Sequence, residues 1–90
     1  MNDNAFTTFG NVLKNERVKR GWTRIELYIK VNQLSSKKDQ IISVESLARW
    51  ENGKKLPRIE ATFALAKVYK KPELINLRIQ AIELKRKMVG

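Results

Sequence analysis

Apolar residues recur three and four apart in five stretches of this 90-residue chain, and no stretch alternates convincingly at period two. The spacing predicts a first helix over about Thr8 to Arg20, with Phe9, Val12 and Leu13 inward, Glu16 or Arg17 beside them, and Gly21 ending it. Thr23 is placed to cap a second helix, with Glu26 completing a capping box. Its expected inward set is Ile25, Leu27, Tyr28, Val31 and Leu34. A polar break at Ser35-Ser36-Lys37-Lys38-Asp39 follows, and Ile41-Ile42 leads into a short third helix capped by Ser43. Asn52-Gly53 supplies its left-handed exit, and Pro57 forbids continuation. The fourth helix runs from about Pro57 to Tyr69, with Ile59, Phe63, Leu65, Ala66 and Val68 as its apolar set. Pro72 opens a fifth, to about Met88. The expectation is a compact all-α fold of five helices in one domain spanning residues 1–90.

The third helix is the most informative segment. It is too short to be stable alone, so its neighbours must hold it by Leu47 and Trp50, which fall three apart on one face. Val44, Glu45, Ser46 and Arg49 are left for other faces. The fifth helix carries two apolar stripes. Leu74, Leu77, Ala81, Leu84 and Met88 form one, and Ile75, Ile79 and Ile82 the other. Docking on its own domain needs one stripe. Either both lie in a broad intramolecular groove, or the second joins two copies of the chain.

Composition narrows the chemistry. There is no cysteine and no histidine, so disulfides, zinc-finger sites, thiol nucleophiles and Ser-His-Asp triads are all excluded. The acidic residues are scattered singly, and the four glycines form no phosphate-cradling loop. No enzyme activity, metal or cofactor is expected. Apolar runs are only a few residues long, and the polar start Met1-Asn2-Asp3-Asn4 lacks a secretory pattern, so neither a membrane span nor export is expected. Nineteen Lys and Arg against nine Asp and Glu leave +10, with a pI near 10.2. A pI above about 9 is the usual footprint of a nucleic-acid binder.

The order of signals resembles the Cro/C1-type, or XRE, family of helix-turn-helix DNA-binding domains, the phage-repressor type. Gly10, Leu13, Arg17, Gly21, Thr23 and Leu27 carry the opening of the pattern. Ser43, Leu47, Arg49, Trp50, Glu51, Asn52, Gly53, Lys54 and Pro57 resume it, followed by Leu65-Ala66. The resemblance implies a lambda-repressor-like helix-turn-helix core over about residues 8–70. Residues 73–88 are then a candidate dimerisation element. One departure is plain. Leu27 and Trp50 stand 23 positions apart, several more than is usual in the family. A helix-turn-helix normally turns in about 3–4 residues; here Ser35 to Ile42 make the connection between helices 2 and 3 longer than usual.

What the resemblance implies for individual residues can be set against groove chemistry. Val44, Glu45 and Arg49 occupy the family's base-reading positions, with Ser43 and Ser46 beside them. Arginine can donate two bonds to guanine, glutamate can accept from a cytosine amino group, and valine can pack on a thymine methyl. Glu45 has a second reading as compensation of the helix dipole, and Arg49 as a phosphate contact or an internal ion pair. Arg24 stands where the family commonly has a glutamine that bonds the DNA backbone. With Asn52, Lys54, Lys55 and Arg58 it forms the expected phosphate-contacting set. Lys37 and Lys38 in the long connection either add to that set or are merely solvated. Arg17 and Glu51 are expected to form an at least half-buried ion pair, because the family pairs residues at these positions. Trp22 and Trp50 are expected in the core or at its rim rather than stacked on bases.

The function expected is a sequence-specific double-stranded DNA-binding regulator. It is expected to be a repressor, cytoplasmic and bacterial or phage-encoded, and homodimeric through the C-terminal helix. The alternative is a protein-interaction module, such as an antitoxin-like partner, using the same fold.

Overall fold

A computed structural model describes residues 5–34 and 41–89 of the chain, with side chains as far as residue 87. Among the described residues there are five helices and no strand: α1 (Thr7–Lys19), α2 (Arg24–Asn32), α3 (Val44–Glu51), α4 (Ile59–Tyr69) and α5 (Glu73–Val89). The all-α expectation holds, and each boundary lies within two residues of the position that the caps and prolines predict. The capping box at Thr23 forms in both directions. The Thr23 hydroxyl accepts from the Glu26 N–H at 3.1 Å, and the Glu26 carboxylate accepts from the Thr23 N–H at 2.8 Å.

Each helix contributes one stripe to a shared core. Phe9 and Leu13 of α1, Leu27 and Val31 of α2, Leu47 and Trp50 of α3, Ala61, Leu65 and Tyr69 of α4, and Leu74 and Ala81 of α5 are all buried. Trp22 packs at the rim, stacked on Tyr69 with ring centroids 6.1 Å apart. The backbones of α1 and α3 approach closely at Gly10. A Cβ at Gly10 would press on the Trp50 carbonyl oxygen and lie 2.8 Å from that of Glu51, so only glycine allows this approach. The polar Glu16 is buried among cations. It accepts from Arg20 at 2.6 Å and from Lys19 at 3.2 Å, and Lys71 lies 3.5 Å away. The Arg20 bond and these charges hold the Glu16 carboxyl below its ordinary range, against the opposing effect of burial.

Four expected inward residues face solvent instead. Ile25 is 60% exposed and Phe63 55%, and Leu34 and Ile59 are also exposed. The reason is angular. Ile25 and Leu27 are two apart, as are Phe63 and Leu65, and residues two apart on a helix point to opposite faces. Leu34 lies beyond the end of α2. Nor does α5 bury both its stripes. Leu74 and Ala81 are buried and Leu77 half-buried, whereas Leu84 and Ile79 are exposed. The α5 helix is tied down by Arg78, whose Nε donates to the Pro57 carbonyl at 2.7 Å, and by Lys85 over the Phe6 ring.

The long connection ends where it begins. The side chain of Asn32, the last residue of α2, accepts from the Ile41 N–H at 2.7 Å and the Ile42 N–H at 3.1 Å, and donates to the Ile42 carbonyl at 3.2 Å. Ile42 is buried in the core just before the Ser43 cap. The chain that follows α2 is thereby returned to the C-terminal end of α2, and α3 packs directly on α2 despite the added length.

Candidate nucleic-acid interface

Packing orients α3. Leu47, Trp50 and Glu51 are buried, so Glu45 and Arg49, four residues apart, share the outward face. Neither has a hydrogen bond or ion pair with any described residue, not even with the other. Val44 and Ser46 are half-buried at the edges of that face. Ser43 caps the helix by accepting from the Ser46 N–H at 3.1 Å, and its hydroxyl donates to the Ser46 hydroxyl at 2.9 Å. The two serines are therefore already engaged with each other, while Arg49 is held by no described residue.

The turn after α3 is built by Gly53. Its φ of +74° is left-handed backbone, and a Cβ there would stand 2.9 Å from the Thr7 Cα. The turn leaves Asn52, Lys54 and Lys55 exposed, and Arg58 is exposed at the cap of α4. Between this turn and α3 lies a groove of about 160 Å³ lined by Ser46, Arg49, Trp50, Lys55, Leu56 and Arg58. Three of those six side chains are cations, so the groove is an anion-attracting concavity beside the outward face of α3.

Beneath this surface lies the Glu51 carboxylate, with no solvent-exposed side-chain area. Arg17 meets it with two bonds, Nε to Oε2 at 2.7 Å and Nη2 to Oε1 at 3.0 Å, and gives its third nitrogen to the Trp22 carbonyl at 2.8 Å. The pairing with Glu51 raises the already high pKa of the Arg17 guanidinium. The structure also brings Arg24 to this carboxylate, Nε to Oε1 at 3.0 Å. The sequence places Arg24 with the phosphate contacts and gives no hint of this bond, since the residues are 27 apart and on different helices. Nor does the sequence mark Asn32, a single polar side chain near the end of α2. Lys37 and Lys38 lie outside the described residues.

A helix-turn-helix family model matches residues 13–75, well over half of the chain. The chain belongs to the Cro/C1-type helix-turn-helix family. The match runs from α1 into the start of α5 and takes in the connection between α2 and α3. No curated protein and no solved structure matches the chain. Membership of the Cro/C1-type family makes this protein a DNA-binding transcription regulator in kind. No helix among the described residues is long and apolar enough to cross a membrane.

Proposed function

We propose that the protein is a sequence-specific regulator of transcription, acting in the cytoplasm as a repressor, which lays α3 in the major groove of duplex DNA. The observation that carries this reading is the outward face of α3. Arg49 and Glu45 are exposed and unpaired there among the described residues, on a helix fixed by its buried side and flanked by exposed cations. In a helix-turn-helix, the second helix presents its N-terminal residues to base edges while the first crosses the backbone. Val44, Glu45 and Arg49 then read bases, with Ser43 and Ser46 at the margin. Arg24, Asn52, Lys54, Lys55 and Arg58 hold phosphates, joined by Lys37 and Lys38. Replacing Arg49 with Ala tests the assignment. The expected result is a loss of about 1–3 kcal/mol on preferred DNA and relaxed selectivity at one base position. Equal weakening on every sequence moves Arg49 to the phosphates.

A two-fold operator bound by a homodimer completes the reading. The exposed Ile79 and Leu84 of α5 support it as apolar surface available to a second copy. A sedimentation mass of one chain at tens of micromolar rejects it. The reading as a protein-interaction module draws on the exposed pairs Ile25 with Ile29 and Ile59 with Phe63, each four apart on one helix face.

A further inference from the structure

Two arginines meet the buried Glu51 carboxylate, and they are used differently. Arg17 spends all three guanidinium nitrogens inside the protein, two on Glu51 and one on the Trp22 carbonyl, and only 12% of its side chain is exposed. That bidentate pair already satisfies both oxygens of the carboxylate. Arg24 is surplus to this requirement. It gives only Nε to Oε1, its side chain is 33% exposed, and its Nη1 and Nη2 bond to no described residue. The carboxylate that holds it belongs to the last residue of α3, one position before the exposed Asn52 that opens the basic turn.

A guanidinium is a planar fork with two usable edges. Gripping Nε fixes the plane of the group and leaves the terminal Nη pair as the free edge, the one that matches two phosphate oxygens. An arginine held in this way has less rotamer freedom to lose when it binds. The cluster keeps a net charge of +1, one carboxylate against two guanidiniums, so it still attracts an anion despite its acidic centre. A lysine cannot do both tasks, since its ammonium is a single point of charge.

We propose that Glu51 is a positioning residue for DNA-backbone binding: it grips Arg24 by Nε and aims the Arg24 Nη pair at a phosphate. This rests on the reading that the chain binds duplex DNA. It gives Glu51 a part in binding beyond its pairing with Arg17, through a residue the DNA touches.

The test measures affinity for a random-sequence DNA duplex against salt, because a phosphate contact acts on every sequence. The variants are Arg24→Ala, Arg24→Lys, Glu51→Gln and the double variant Glu51→Gln with Arg24→Ala, each assayed below its melting temperature. Arg24→Ala should weaken binding about tenfold, the scale of one charged hydrogen-bonded contact. It should also lower the slope of log affinity against log salt by about 0.9. Arg24→Lys should recover little of that loss. Glu51→Gln should weaken binding when Arg24 is present and have no further effect in the Arg24→Ala background. An equal loss in both backgrounds overturns the proposal, because Glu51 then acts only through Arg17 and the fold. Full affinity of Arg24→Lys also overturns it, since charge alone then suffices, and this comparison stands even if Glu51→Gln does not fold. No binding of the duplex by the unsubstituted protein at low salt would instead refute the DNA reading on which the proposal rests.

Discussion

Gly10 has no side chain because the backbone of α3 occupies the space where one would be. Two carbonyl oxygens lie against its Cα–H side, and carbonyls at a helix end cannot swing away as a side chain can. Gly10→Ala should therefore cost about 2 kcal/mol through forced separation of α1 and α3, a fall in Tm on the order of 10 °C. An unchanged Tm would mean the helices are further apart. At Glu16 the effect is on pH dependence. Its folded pKa lies below the unfolded value, so its contribution is fully present above about pH 4.3 and is lost as the pH falls through the lowered value. Glu16→Gln should flatten the decline of Tm between about pH 5 and 3; an unchanged slope contradicts the lowered pKa. Tyr69 illustrates burial acting in the other direction. Its phenol, donating to the Leu13 carbonyl at 3.4 Å, is pushed well above its ordinary pKa by desolvation, so it stays neutral.

At the scale of elements, what could be read in advance was whatever local chemistry encodes. Thr23, Ser43, Gly53 and Pro57 mark helix ends through groups within a few residues, and the ends fall there. Membership of the core was less legible. Hydrophobicity marked Ile25 and Phe63 as strongly as Leu27 and Leu65, and only the helix period separates them. The candidate site divides the same way. The exposed cations and the outward face of α3 follow from spacing, whereas the Arg24–Glu51 and Asn32–Ile42 bonds join residues far apart in the chain. Asn32 has the larger consequence for an element. Asn32→Ala should cost about 1–3 kcal/mol by leaving the Ile41 and Ile42 N–H groups without their acceptor. Hydrogen exchange should show faster exchange at the start of α3; unchanged protection there would mean that Ile42 alone anchors the helix. Lys70, which ends α4 at φ +54°, is the one non-glycine in left-handed backbone among the described residues. Lys70→Gly should stabilise the fold by about 0.5–1 kcal/mol, and a lower Tm would show that the lysine side chain outweighs the backbone cost.

Over the whole molecule the net charge of +10 favours an anionic partner, and the number of phosphates met sets how binding responds to salt. If two copies together make about 6–10 phosphate contacts, affinity should fall about 10³–10⁵-fold between about 50 and 200 mM salt. A flat response would argue against the backbone contacts altogether. Charge alone does not confer selectivity, because phosphate contacts position the protein and base contacts specify the sequence. In the function proposed above, selectivity depends on α3, which is held by Leu47, Trp50 and Glu51 with Arg49 and Glu45 turned outward. The most direct measurement is selection of bound duplexes from a random pool at fixed salt, followed by the ratio of specific to non-specific affinity. Base reading by α3 should yield an enriched sequence, a ratio of about 10³ or more, and loss of preference at one position in Arg49→Ala. Salt-sensitive binding with no sequence enriched would contradict it.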